Sequence, residues 1–518
     1  MIAEASSRMV PGAIRTRAPR PSARAAVVRG VAKARTVPRP LAALLAMATI
    51  QVVAWILVLP PFQGPDEEAH FAYVQYLAET GKTPDRYAGS GWNQSTEEAE
   101  AIKWADLLVL RGVLAARPGW TDAAEQRWRE VEASLPDEAS SNGDGPNPAG
   151  QNPPLYYALE TVPYHVAPGG SFFNRYYMTR FASGLLYVAA VAFMWLIASE
   201  LFRAVWARTL ATGIFALHPK LAMLGAVVNP DILLVLTWTA FIYVGLRILR
   251  HGLTLRRLIG AGAAVAGSVL THGRGLAILP ALLVLLGIAY LRWRPPPKQA
   301  LLGAGISVGI ALAGLALAGV FTSGVSGQGA AYGGTIGLVD DQSFNIRQFV
   351  SYVWQFYLPK LDFMQPSIGV PWYGFREVYI QSFYSQLASL EIEYPRFVID
   401  LLQVATVLLL FGLYTVAVTR LDAVKRGWPT IAFLLLTGLS MVALLHLSSY
   451  TAMLVNPGDP VITGRYLFPL LSLLAIGVTV VVTALPRRIG AFATGAIVAA
   501  GIALQLSGLG LALLRFYV

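Results

Sequence analysis

LAALLAMATIQVVAWILVLP, residues 41–60, decides the fold: it is an apolar run without a single charge. At 1.5 Å per residue, a helix of that length crosses the roughly 30 Å of a bilayer's hydrocarbon. Similar runs recur near 181–202, 209–226, 231–248, 276–291, 300–321, 398–419, 429–447, 467–485 and 490–512, with a shorter one at 258–271. The chain is therefore expected to be an all-α polytopic membrane protein of about 11 transmembrane helices. Composition agrees, since 55% of its 518 residues are hydrophobic and 13% charged, against roughly 25% charged in soluble domains.

Four sections follow from this reading. Residues 1–40 form a basic, disordered tail, and 41–321 an N-terminal transmembrane module that includes a helical outer loop over 61–178. A second, aromatic-rich outer loop covers 322–397, and residues 398–518 supply the C-terminal transmembrane helices. The tail carries nine Lys or Arg residues and one acid, Glu4, so it is expected to stay on the cytoplasmic side. Arg203 and Arg208, Arg247 to Arg257, Arg292 to Lys298, Arg420 to Arg426, and Arg487 and Arg488 mark every second loop as cytoplasmic too. That alternation requires the short 258–271 run to cross.

Of the 29 acidic residues, 17 fall between Asp66 and Glu160, in the loop this topology places outside. The net charge of +11 thus reflects inner loops and a tail facing anionic lipid, and no nucleic-acid partner is implied. With no cysteine, disulfides, thiolate catalysis and Cys-ligated metals are excluded. The six histidines are scattered without a HExxH pair. No metal site is expected, no cofactor is required, and a divalent cation stays open.

Directly after the first span comes Pro65-Asp66-Glu67-Glu68-Ala69-His70-Phe71, a cluster of charge that is costly to hold beside a membrane. Pro65 suits a first helical turn and Gly81 a stop, so a helix is expected between them, with the three acids at its positive end. Further helices are expected over 96–116 and 122–134, then a flexible connector over 137–150. Asn152-Pro153-Pro154-Leu155-Tyr156-Tyr157 opens another helix. Trp354, Phe356, Tyr357, Trp372, Tyr373, Phe375, Tyr379, Phe383, Tyr384 and Tyr394 crowd the second outer loop. They suit an interfacial belt, and such rings also stack on the C–H faces of sugars. Gly273-Arg274-Gly275 and Gly464-Arg465-Tyr466-Leu467-Phe468-Pro469 put arginines at outer ends of spans, where they either bind an anion or snorkel.

The order of first span, PDEEAHF, helical outer loop closing with NPPLYY, and late GRYLFP resembles the GT-C superfamily of membrane glycosyltransferases. Within it, the chain is most similar to an uncharacterised bacterial membrane family with PDEPAHF-like and GRYxxP-like segments; Glu68 stands where proline is common. The resemblance implies sugar transfer from a polyprenyl-phosphate donor to a cell-envelope glycan, glycolipid or protein acceptor. It implies a multi-pass protein of the bacterial plasma membrane, with its active site on the outer face.

On that reading Asp66 is the candidate catalytic base and Glu67 the second candidate. Arg274, Arg465 and His272 are candidates for the donor phosphate, and Glu68, His70, Asn152, Tyr156 and Tyr157 for the acceptor or sugar. Asp231 either pairs with Arg274 or helps bind substrate, while Asn229 caps the helix there. Arg175 and Arg180 are read as interface anchors. Two alternatives remain: a transporter or flippase of a lipid-linked saccharide, and an envelope glycan polymerase or ligase. Polar clusters at outer ends, rather than near the midplane, favour the enzyme.

Overall fold

The computed structural model describes residues 37–85, 93–119, 121–322, 344–365, 374–455, 457–458 and 462–518. The basic tail before residue 37, the glycine-rich start of the second outer loop, and Trp372 and Tyr373 lie outside the described residues. Among the described residues all regular structure is helical, apart from one isolated bridge between Leu387 and Ile392.

The first span is α1 (Arg39–Val58). The segment between the first two spans holds α2 (Glu67–Thr80), α3 (Thr96–Trp104), α4 (Leu107–Gly112), α5 (Asp122–Ser134) and α6 (Leu155–His165). Then come α7 (Phe172–Leu201), α8 (Val205–Ala216), α9 (Pro219–Leu224), α10 (Asp231–His251), α11 (Leu255–Val269), α12 (Ile278–Trp293) and α13 (Pro297–Thr322). The C-terminal part contributes α14 (Ile346–Tyr357), α15 (Arg396–Thr419), α16 (Leu421–Val455), α17 (Leu471–Ala484) and α18 (Arg487–Tyr517). Nine helices of the described residues are long and apolar enough to span a membrane. The two remaining runs are helical but shorter: 209–226 breaks at His218-Pro219 into α8 and α9, and 258–271 becomes α11.

Polar pairs gather at the two ends of the bundle. At one end Glu200 of α7 meets Arg247 (3.2 Å) and His251 (2.8 Å) of α10, and Arg420 donates to the Ala484 carbonyl. At the other end Asp66 meets Arg465, Asp231 meets Arg274, and Glu391 meets Arg515. Between them helices touch through small residues. Gly262 of α11 lies against the Ser307 backbone of α13, and Gly314 against Ala266, where an added Cβ would collide.

The loop after α1 departs from its expected form in three places. The 96–116 helix is interrupted at Ala105-Asp106, where Asp106 takes a left-handed conformation (φ 50°). The 137–150 connector is packed: the Asn147 amide donates to the Ala69 carbonyl and its backbone N–H to that of Asp85. Asp66 lies outside α2 in a left-handed conformation (φ 57°), and its carboxylate caps no N–H there. Gly81 ends α2 as expected, in a left-handed C-cap.

In α6, Glu160 is buried, and that burial pushes its carboxyl up to about 8 despite a hydrogen bond from Ser183 Oγ at 2.9 Å. The unfolded chain ionises this group near 4.5. Between those values the folded state holds more protons, so stability falls as pH rises through that window and levels off above it. Glu160→Gln is expected to remove this slope. Unfolding midpoints of variant and wild type, followed from about pH 5 to about pH 9, should diverge in the variant's favour as pH rises. Parallel curves would mean the carboxyl is ionised throughout.

Candidate functional site

Three adjacent acids meet three different arginines, each brought in from elsewhere in the chain. Glu67 is fully buried and faces Arg180 of α7, which is also fully buried. Arg180 Nε donates to Glu67 Oε1 (2.8 Å) and Nη2 to Oε2 (2.7 Å), while the backbone N–H groups of Val228 (3.0 Å) and Gly64 (2.9 Å) complete the carboxylate's shell. The same guanidinium donates to the carbonyls of Ile56, Leu59 and Pro60, where α1 ends with its C=O groups unpaired. With four donors and no exposed surface, Glu67 has nothing left to offer an acceptor. It organises the loop.

Glu68 is held by Arg111 in a two-point pair, Nη1 to Oε1 at 2.7 Å and Nη2 to Oε2 at 2.9 Å. Arg111 also donates to the Phe62 carbonyl at 2.7 Å. Phe62 (φ 62°) and Asp66 are both left-handed without being glycine, a conformation that costs roughly 1–2 kcal/mol each. The Arg180 and Arg111 networks brace this strained turn from both sides.

Asp66 alone of the three presents itself, with 61% of its side chain exposed. Its Oδ2 accepts from Arg465 Nη2 at 2.7 Å, and no described residue donates to Oδ1. Burial pushes its carboxyl up, but Arg465 and then His70 outweigh that, so it sits below the ordinary carboxylate value and is ionised at neutral pH.

Arg465 enters from the turn before α17. Gly464 there presses against the Phe383 and Val378 backbone, where a Cβ would not fit. Arg274 comes from the turn before α12, and its Nη2 donates to Asp231 Oδ1 at 2.5 Å, as the position of Asp231 at the start of α10 suggested. Asn229 accepts from the Asp231 N–H, the expected cap. Both guanidinium groups flank the Tyr466 ring, Arg274 at 3.7 Å and Arg465 at 5.3 Å from its centre. Arg274 Nη1 and Arg465 Nε and Nη1 are buried without a partner among the described residues. Buried donors are nearly always paired, and these three cationic donors around one ring are exceptions.

The other candidates take supporting places. His272 accepts from the Arg274 backbone N–H and touches its Nη2. Burial and then the Arg274 charge keep the ring neutral, and it holds the arginine in place. Gly275 makes its close approach to the Ser268 backbone, not to a ligand. His70 is buried, which lowers its pKa to about 4, and it bonds Tyr157 Oη at 2.9 Å.

Tyr157 and Tyr156 are fully buried, so neither ring offers a face to a sugar. Tyr157 stacks on Tyr73 at 3.7 Å and Tyr156 bonds Ser183, while Asn152 donates to Tyr157. Tyr157, with Asn152, locks α6 to α2, and Tyr156 ties α6 to α7. Arg175 and Arg180 are not free anchors: Arg175 pairs with Glu79 and Glu97. The belt reading of the second outer loop also changes. Buried Tyr352, half-buried Tyr379 and exposed Tyr357 all hydrogen-bond His446, and Phe356 packs on the same ring. Among the described residues no cluster of three or more His, Asp or Glu has metal-holding geometry.

Sequence reasoning missed Arg111 altogether, read Arg180 as an anchor instead of the partner of Glu67, and gave Tyr466 no place between the two arginines. Arg111 had a faint signal, as a base in an acid-rich loop; Arg180, inside an apolar span, had the stronger one.

The fold and this site define a polytopic helical membrane protein with an ionic cluster at one end of its bundle. More particularly, residues 50–474 match the family described as "Predicted membrane protein (DUF2142)", and the chain belongs to it. No curated protein sequence matches. Among solved structures the chain is similar to the Archaeoglobus fulgidus oligosaccharyltransferase in its apo form, at 14% identity and a TM-score of 0.46, covering 91% of this chain and 56% of that one. It is similar to ArnT from Cupriavidus metallidurans bound to undecaprenyl phosphate, at 12% identity and 0.43, covering 91% and 71%. It is also similar to the S. cerevisiae protein O-mannosyltransferase Pmt1-Pmt2 complex bound to the sugar donor, at 13% identity and 0.35, covering 68% and 40%. The chain thus spans little more than half the length of the oligosaccharyltransferase.

Proposed function

We propose that this protein is a membrane glycosyltransferase of the bacterial plasma membrane. It takes a sugar from a polyprenyl-phosphate donor and passes it, on the outer face, to a cell-envelope glycan, glycolipid or protein. The observation that carries this reading is the meeting of an exposed, ionised Asp66 with Arg465, beside Arg274 and three unpartnered guanidinium donors.

Asp66 Oδ1 takes the proton of the acceptor hydroxyl as that oxygen attacks the anomeric carbon. The bond from that carbon to the phosphate oxygen breaks, and polyprenyl phosphate leaves with the electron pair. Arg465 and Arg274 receive the charge, guanidinium matching phosphate through paired N–H groups. An arriving donor phosphate competes with Asp66 for Arg465. Losing that cation raises the Asp66 pKa and makes it a stronger base once the donor is seated.

Arg274→Ala and Arg465→Ala are each expected to weaken binding of a radiolabelled polyprenyl-phosphate sugar by roughly 10- to 100-fold, the worth of charge-assisted hydrogen bonds. Affinity unchanged in both would return the two arginines to interface anchors. Binding of donor without transfer to any acceptor tested would move the protein to the transport class.

A further inference from the structure

A cavity of about 670 Å³ opens between α3, α5 and the first turns of α7, away from the Asp66 site. One wall is a continuous aromatic surface. The Trp104 and Phe173 ring centres are 4.9 Å apart, Trp128 and Phe173 5.1 Å, and Trp104 and Trp128 6.0 Å, with Tyr177 alongside. Trp104 Nε1 donates to the Ala124 carbonyl at 2.8 Å, which fixes the ring's orientation. Trp128 is buried, lines the cavity, and its indole N–H has no acceptor among the described residues. The lining also carries the Asp122 and Glu125 carboxylates and Asn174; Glu125 pairs with Arg129 and the Asn174 amide donates to the Pro168 carbonyl.

We propose that this cavity binds a sugar ring of the acceptor glycan, remote from the unit being joined. The proposal takes its ligand class from the transferase reading above. A sugar has C–H faces that pack on aromatic rings and hydroxyls that need polar partners, and the cavity is lined by aromatic rings and carboxylates together. A phospholipid fits worse: the lining holds Asp122, Glu125 and Glu132 against the single cation Arg129, which repels a phosphate. The cavity is joined to the acid motif through α7. The Arg180 guanidinium, which holds Glu67, lies 5.6 Å from the Tyr177 ring centre.

The test uses the full chain in lipid nanodiscs and titrates neutral arabinohexaose, galactohexaose and mannohexaose by saturation-transfer NMR. At least one is expected to bind saturably. Trp104→Ala should weaken it by about tenfold or more, about 1.4 kcal/mol, and Trp104→Phe, which keeps a ring, should restore most of the loss. Label transfer by Asp66→Asn is measured separately, so binding to the Trp104 variants decides the cavity and transfer decides the base. The proposal is overturned if none of the three sugars binds, or if Trp104→Ala binds as well as the wild type. It is equally overturned if phospholipid alone is recovered from the cavity and no sugar displaces it.

Discussion

Asp66→Asn is expected to lower label transfer from a polyprenyl-phosphate sugar by about 10²- to 10⁴-fold, the usual contribution of a positioned general base, while leaving the protein folded. Three features make this substitution clean. The side chain is 61% exposed and its one ion pair is with Arg465, whose own side chain is 15% exposed, so neutralising Asp66 strands no carboxylate in a dry interior. Asparagine tolerates the left-handed backbone of this position (φ 57°) as well as aspartate does, so the strained turn keeps its shape. The amide keeps an acceptor oxygen for Arg465 but has lost the proton-accepting charge. Comparing initial rates at equal folded protein, a variant that keeps more than about a tenth of wild-type transfer would remove Asp66 as the base.

The second large effect concerns stability. Glu67 and Arg180 are both fully buried, and each completes the other's bonding. Breaking such a pair strands a charge in a dry interior, at a cost of about 3–5 kcal/mol. Glu67→Gln and Arg180→Met are each expected to destabilise by that amount, read as a fall in the unfolding midpoint of the detergent-solubilised protein. Arg180→Met should be the worse, because the end of α1 also loses three carbonyl contacts. Activity should fall in step with the folded fraction. A Glu67→Gln variant that is as stable as wild type yet inactive would put Glu67 back among the catalytic groups.

These two residues are neighbours with the same functional group, and their fates differ because of what folding brings to them. Glu67 looks inward along α2 toward α7 and is sealed. Asp66, one residue earlier and left-handed, looks outward. The sequence offered both as candidates for the base, and nothing local separates them. His70, Tyr156 and Tyr157 show the same gap: polar and aromatic residues beside an acid motif read as ligand contacts, yet packing encloses them. Arg274, between two glycines, and Arg465, after one, were legible as arginines at span ends, with anion binding and snorkelling both open. Their convergence on Tyr466 was not.

By itself the sequence determined the number and placing of the apolar runs, the helix around the acid motif, and the end of each span at which its charges lie. These follow from hydrophobic length and local backbone preference, properties read within a window of some twenty residues. Only the tertiary structure decided that Glu68 takes Arg111, Glu67 takes Arg180 and Asp66 takes Arg465, partners 43, 113 and 399 residues away. Charge pairing acts over a few ångströms of space and has no period along the chain. Which arginine arrives at which acid is therefore settled by helix packing.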